Sequence, residues 1–292
     1  MTPDGTRLNG GVDAVAALRA DLEAARYTVE HLTAMWGAAA EAALQREDRV
    51  PASRALRGNP DPAAVLARLF ILGSREDAAD VERALPSAGI AGAASLGLVE
   101  DTGGAGVRAL RDVRPYAFLD ARGAGEWWIV SDLGELVTGS ALRPDHVLGV
   151  GGASVTLSGL LLPGPVGRAL DLGTGCGIQA MHLARDAEHV VATDISERAL
   201  GTARLNAALN GITGVEFRHG SMFEPVAGER FDRIVSNPPF VITPRRGDVP
   251  EYEYRDGGRV GDAVVAELVR RAGEHLEPGG IAQLLGNWEY RA

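Results

Sequence analysis

The sequence predicts an α/β protein: a parallel sheet with helices on both faces, preceded by a smaller, mostly helical α+β region. Three observations lead there. From about residue 146 short apolar strands alternate with helical segments, and strands joined that way line up in parallel because each crossover returns the chain to the same end of the sheet. The first of these strands runs into a glycine-rich turn, and the next ends on an acid, Asp194. Ahead of residue 90 the apolar residues recur at helical spacing instead. We therefore expect an N-terminal recognition or cap domain over 1–145 and an α/β domain over 146–292.

In the N-terminal region, Val12, Val15, Leu18, Leu22 and Ala25 predict a helix over 12–26, and a second helix fits 29–45. Asn59-Pro60-Asp61-Pro62 is a turn followed by a helix start, with Asp61 as cap and Pro62 at the first helical position. The helix it opens carries Val65, Leu66, Leu69 and Phe70. Another spans 75–85 and stops at Pro86. Strands are then predicted over Val107–Val113, after a glycine-rich turn at 102–106, and over Glu126–Ser131. Short helices followed by a hairpin resemble a winged-helix module, but a small α+β cap on the α/β domain is the favoured reading. Trp127 and Trp128 are read as hairpin packing residues.

In the second region Val166–Leu172 is the first strand, followed by a glycine-rich turn and a helix at 177–186. His189–Asp194 is the next strand, and Ser196 caps a helix that stops near Asn210-Gly211. Strands at Val215–His219 and Phe231–Ser236 follow. A helix over 260–276 precedes a Pro278-Gly279-Gly280 turn and a fifth strand, Ile281–Leu285. Ligands of such sheets bind at the carboxyl ends of the strands.

Bulk properties narrow the function classes. The formal net charge is −10, and all 29 basic residues are arginine. An acidic chain gains little from phosphate attraction, and Arg245-Arg246 and Arg270-Arg271 are too short to be basic tracts. The single cysteine, Cys176, excludes an intramolecular disulfide. The six histidines show no ligand spacing, so no metal is expected. No apolar run is long enough to span a bilayer, and MTPDGTRLNGG lacks a secretory apolar stretch, so we expect a cytoplasmic location.

Two segments carry chemistry. The first is Asp171-Leu172-Gly173-Thr174-Gly175-Cys176-Gly177, where glycines let the backbone approach a ligand, with Asp194 about twenty residues on as an acceptor for ribose hydroxyls. Gly175-x-Gly177-x-x-Ala180 also satisfies a loose dinucleotide fingerprint, which leaves an NAD-dependent oxidoreductase open at this point. The second is Ser236-Asn237-Pro238-Pro239-Phe240 at the end of the fourth strand. An amide or aromatic amino nitrogen is a poor nucleophile because its lone pair is delocalised. Acceptors on both N–H bonds improve it. Asn237 offers a side-chain oxygen, and the two prolines leave carbonyls without competing N–H donors, Pro238 supplying the second acceptor. Phe240 can stack on the flat target. In-line positioning of this kind lowers a barrier by about 7–11 kcal/mol.

Together, Ala169 to Gly177, Asp194 and Asn237-Pro238-Pro239-Phe240 resemble the class I methyltransferases of the "small domain" type, which include the HemK-like protein-glutamine methyltransferases and several purine-N methyltransferases of ribosomal and transfer RNA. Tyr254 to Gly258 and Leu276 to Gly280 fit as well, so the resemblance covers about 160–292. It implies a Rossmann-like domain, S-adenosyl-L-methionine as cofactor, and N-methylation. Asp171, Gly173, Thr174, Gly175 and Gly177 would border the methionine part, Asp194 and Ile195 the ribose, Ser221 and Met222 the adenine, and Asn237 to Phe240 the acceptor nitrogen. Ser221 departs from relatives that carry an acid there. The segment Val150–Leu157 reads either as a strap closing over the cofactor or as a domain linker. The family's two further strands have no counterpart before Ala292, so the domain is expected to be incomplete at its C-terminus or to have its sheet completed by another segment; uncovered, the fifth strand would be an exposed edge. The implied partners are a release-factor-like protein, towards which the acidic balance tilts, or structured RNA. A small-molecule amine or amide, and a cofactor-binding module without catalysis, stay open as alternatives.

Overall fold

The computed structural model describes residues 6–46, 48–239 and 262–288. The chain divides into two compact units, one taking in the chain up to Phe118 together with Gly125–Ala141, the other Leu119–Ala124 and Leu142–Ala292.

The first unit opens with six helices: α1 (Thr6–Ala24), α2 (Val29–Leu44), α3 (Val50–Ala55), α4 (Pro62–Leu66), α5 (Ala78–Ala84) and α6 (Gly89–Ser95). Leu18 and Leu22 of α1 are fully buried, as their spacing requires. Thr28 caps α2 by accepting the His31 N–H. Asp61 accepts the Ala63 N–H with Pro62 at the first helical position, and α4 widens into a π-helical turn over Ala67–Ile71 that buries Leu69 and Phe70. The helix predicted over 75–85 is shorter at both ends: Asp77 is extended at φ −63°, ψ 139°, so it starts at Ala78, and Leu85, restricted by Pro86, leaves the helical region at φ −124°, ψ 63°.

Strands β1 (Val99–Asp101) and β2 (Val107–Ala109) pair antiparallel across the glycine-rich turn. A separate two-stranded sheet holds β3 (Arg111–Asp120) and β4 (Gly123–Asp132), and a four-residue helix, α7 (Glu135–Thr138), follows. The single strand expected over 107–113 is thus two strands that belong to different sheets. Trp127 packs its ring 4.3 Å from Phe118, and Trp128 donates its indole N–H to the Tyr27 carbonyl at 2.7 Å, so both tryptophans serve packing.

The second unit contains α8 (Gly152–Gly159), β5 (Val166–Leu172), α9 (Ile178–Leu183), β6 (Ala187–Asp194), α10 (Glu197–Leu209), β7 (Val215–His219), β8 (Phe231–Ser236), α11 (Ala263–Ala272) and β9 (Leu276–Leu284). The five strands are parallel in the order β7-β6-β5-β8-β9. Alternation along the strands splits the core into two layers. Leu170, Leu172, Val191 and Ile234 pack with Val264 and Leu268 of α11, whereas Ala169, Val190, Ala192 and Val235 pack with Leu157 of α8 and Ala180 and Leu183 of α9. This is the Rossmann-like doubly covered sheet that the sequence predicts.

Three elements differ from expectation. The segment read as a strap or linker before the first strand is largely the helix α8. The helix after the glycine turn is short, ending at Leu183 rather than 186. The fifth strand begins at Leu276, not Ile281, and contains the Pro-Gly-Gly expected as a turn. There Phe231 pairs with Leu276 and Arg233 with Ile281, so the extra β9 residues bulge out of the ladder. Pro278 has no N–H to pair, and a Cβ on Gly280 would stand 2.9–3.2 Å from three backbone oxygens, so the bulge needs this sequence. Among the described residues β9 is an edge of the sheet.

Candidate active site

The chain runs from β5 to β6 and β7 on one side, then crosses to β8 on the other side of β5. Where the order reverses, the two outgoing loops diverge and leave a crevice at the strand carboxyl ends. Asp171 pairs with Val235 across β5 and β8, and the Ser236 hydroxyl donates to the Leu172 carbonyl at 2.6 Å. The glycine turn and Asn237 therefore leave the sheet from adjacent strand ends.

Asp171 is fully buried. Its Oδ2 accepts the Thr174 hydroxyl at 2.6 Å and the Ala180 N–H at 2.9 Å, while Oδ1 is buried with no hydrogen-bond partner. Burial pushes this carboxyl up to about 7 against the pull of those two hydrogen bonds, and the charge of Asp194 pushes the same way. Gly177 has φ +90°, and a Cβ there would lie 2.9 Å from that of Ala203, so glycine lets the turn meet α10. Cys176 is buried, its thiol pushed up to about 11 by burial, and its carbonyl accepts the Asn206 side-chain amide at 2.8 Å. A thiol held neutral in this way is a packing residue and not a nucleophile.

Asp194 accepts the Gly175 N–H on Oδ2 and the Ser196 N–H on Oδ1, both at 2.9 Å. Burial raises its pKa in spite of these bonds. Each oxygen keeps a lone pair for a further donor. Ile195 next to it is 59% exposed, an apolar surface beside a polar one. The Gly220 N–H donates to the Asp194 carbonyl at 3.0 Å, which brings the turn carrying Ser221 and Met222 to the end of β6. Met222 adopts φ +49°, a left-handed conformation uncommon for a residue with a side chain.

Asn237 donates from Nδ2 to the Ser154 hydroxyl at 3.3 Å, and its Oδ1 is buried without a partner. Pro238 is buried and Pro239 partly so. Phe240 lies outside the described residues, as do Arg245, Arg246, Glu251, Glu253 and Tyr254 to Gly258. Gln179, which is 2% exposed, donates from Nε2 to the Ser154 carbonyl at 2.9 Å and leaves Oε1 unmatched. Sequence reasoning missed Ser154 and Gln179. The one available signal was a polar residue on the otherwise apolar run Ile178 to Leu183 of α9, with His182 as its other exception.

Which ligand suits this cradle follows from its donors and acceptors. Gly173 and Thr174 both give their N–H to the Thr193 carbonyl, Gly175 gives its own to Asp194, and Gly177 gives its own to the Thr174 carbonyl. A pyrophosphate would need those N–H groups free, so the turn is a poor dinucleotide cradle. What remains are acceptors: Asp171 Oδ1, Gln179 Oε1, Asn237 Oδ1 and the spare lone pairs of Asp194. They fit a ligand rich in donors, with an ammonium group and ribose hydroxyls, as S-adenosylmethionine has. Among the described residues no three His, Cys, Asp or Glu side chains form a group that could hold a metal ion, and no helix is long and apolar enough to cross a membrane.

Sheet order, glycine turn and the strand-end Asn-Pro-Pro segment give the second unit a Rossmann-like fold similar to that of class I methyltransferases. Residues 151–291 match the family described as methyltransferase small domain, and 24–110 match a domain of unknown function (DUF7059). The chain is 40% identical over 134 residues to a release factor glutamine methyltransferase of Xylella fastidiosa (strain Temecula1), an alignment covering 43% of this chain and 48% of that protein. It is 38% identical over 155 residues to a release factor glutamine methyltransferase of Geobacter sulfurreducens, covering 50% of this chain and 52% of that one. It spans about half the length of these curated relatives. A solved methyltransferase from Pyrococcus furiosus is 26% identical, with 44% of this chain and 59% of that one covered at a TM-score of 0.35.

Proposed function

We propose that the second unit transfers the methyl group of S-adenosylmethionine to the side-chain amide nitrogen of a glutamine in a protein of release-factor type, in the cytoplasm. The observation that carries this reading is the buried, unpartnered Oδ1 of Asn237 on the strand end next to the glycine turn. The names of the relatives support the choice of glutamine over other planar nitrogens. Residues 1–145 would recognise or cap the substrate.

Each group has a part. Asp171 and Gln179 offer acceptors to the cofactor's amino-acid end, and Asp194 offers its remaining lone pairs to the ribose. Ile195, Ser221 and Met222 border the base. Asn237 Oδ1 and the Pro238 carbonyl each accept one N–H of the target amide, which localises its lone pair and fixes its direction. When bound, the cofactor supplies an electrophilic methyl on a sulfonium. With the nitrogen held by these two acceptors, the extra proton it would carry after methylation can pass to solvent. No strong general base is required.

The test is transfer of tritiated methyl from S-adenosylmethionine to an unmethylated bacterial release factor, with the same factor carrying Gln→Ala substitutions and with total bacterial RNA as controls. Label on the factor, lost when one glutamine is replaced, is the expected result. Label on RNA alone would replace the glutamine reading with the purine one. Calorimetry with S-adenosylhomocysteine and with NAD tests the cofactor, and tight binding of NAD alone would remove the methyltransferase reading.

A further inference from the structure

The amide of Asn237 can serve an acceptor nitrogen in only one of its two orientations. With Oδ1 facing the substrate it accepts an N–H. Turned over, it would set its own NH2 against the substrate's N–H, donor against donor. The Asn-Pro-Pro segment itself cannot choose between them, since both orientations have the same shape. In the observed orientation Nδ2 is taken by a protein partner on the other side of the amide, and Oδ1 is left without one.

That partner is Ser154 of α8, whose Oγ lies 3.3 Å from Asn237 Nδ2. Its backbone is held twice: its carbonyl accepts the Ser158 hydroxyl at 2.8 Å and the Gln179 Nε2 at 2.9 Å. Gln179 is nearly inaccessible and sits two residues past the last glycine of the turn, so it ties α8 to the cofactor loop. We infer that Ser154 is a positioning residue for methyl transfer. Its hydroxyl accepts the Asn237 Nδ2–H and holds the amide plane with Oδ1 left for the acceptor nitrogen, while Gln179 fixes Ser154 against the glycine turn. The inference rests on the function proposed above for Asn237. It also gives α8 a purpose that neither a strap nor a linker has: it holds one amide in place.

The experiment compares wild type with Ser154→Ala, Ser154→Thr and Gln179→Leu. In the assay with tritiated S-adenosylmethionine and release factor, Ser154→Ala is expected to lower kcat about 10- to 100-fold, a loss typical of a misaligned reacting group, while KM for S-adenosylmethionine stays within about twofold. Threonine, which keeps the hydroxyl, should restore most of kcat, and Gln179→Leu should fall between. Unchanged kcat in Ser154→Ala, or no rescue by threonine, overturns the inference. A second readout needs no substrate. With 15N-asparagine labelling, the Asn237 side-chain NH2 pair, assigned by its loss in Asn237→Ala, should shift in Ser154→Ala and hold its place in Ser154→Thr. An unmoved pair in Ser154→Ala overturns the inference as well. If wild type labels no release factor, the functional reading fails, and the resonance alone decides whether Ser154 orients Asn237.

Discussion

The two units treat buried polar groups in opposite ways. In the first, such groups close on the protein. Arg68 gives Nε and Nη2 to the Glu76 carboxylate at 2.7–3.1 Å and Nη1 to the carbonyls of Leu56 and Asn59. Asp21, 1% exposed, accepts the N–H groups of Ser87 and Ala88, and the Tyr27 hydroxyl donates to the Val113 carbonyl. Among the described residues there, His31 Nε2 is the buried side-chain atom without a hydrogen bond, and it still lies 3.6 Å from Asp61. In the second unit three acceptor oxygens, on Asp171, Gln179 and Asn237, are buried unmatched around one set of strand ends. An unmatched buried acceptor costs about 1–3 kcal/mol, so three of them in one place mark where a ligand's donors belong. Completed networks hold a fold, and incomplete ones await a partner.

The comparison breaks most visibly at Arg68. Arg68→Ala would strand the Glu76 carboxylate, itself 9% exposed, and is expected to destabilise the first unit by about 3–5 kcal/mol. Denaturant unfolding followed by Trp127 and Trp128 fluorescence checks this, and S-adenosylhomocysteine affinity should not change. The next effect belongs to the other unit. Asn237→Ala removes an acceptor that no protein donor uses and a single hydrogen bond to Ser154, so stability should fall by no more than about 1 kcal/mol while methyl transfer falls on the order of 100-fold or more. Loss of folding together with activity, seen by circular dichroism, would place Asn237 with the completed networks instead. Asp194→Ala is smaller, about 10- to 100-fold in S-adenosylhomocysteine affinity by calorimetry, because Asp194 also holds the N–H groups of Gly175 and Ser196 and its loss is shared with the turn.

The sequence disclosed these two behaviours unequally. Strand positions, the Ser196 cap, the glycine turn and the Asn-Pro-Pro end were legible because they rest on local chemistry: period-2 burial, an N-cap oxygen, a positive φ, a missing N–H. The β9 bulge was not, since Pro278-Gly279-Gly280 reads as a turn until β8 is seen beside it. The split of 107–113 into two strands depends likewise on which partners lie alongside. Ser154 and Gln179 were invisible for a further reason. Their roles come from contacts across 83 and 25 residues of chain, and neither belongs to a motif whose spacing carries meaning. Arg68 and Glu76, eight residues apart, form a pair that no helical or strand period announces.

The finest discrimination comes from Asp171, the ionisable member of the three half-satisfied groups in the second unit. Its folded pKa of about 7 lies above the ordinary carboxylate value because burial disfavours the charge. Before ligand binds, this raised value favours the folded state in acid, fully so below the unfolded pKa, and the advantage is lost as pH rises through about 7. Thermal stability without ligand should therefore decline from pH 5.5 to 8 through this group. Binding has the opposite sign. A cationic amino group facing Oδ1 needs the ionised form, so S-adenosylhomocysteine affinity should rise with pH, by at most about tenfold per unit, and level off above pH 7. Asp171→Asn keeps an oxygen for Thr174 and Ala180 but cannot ionise, and should flatten both profiles in paired melts with and without ligand. If the variant keeps the wild-type rise in affinity, the proton belongs to another group, and the unmatched Oδ1 does not face the ligand's cation.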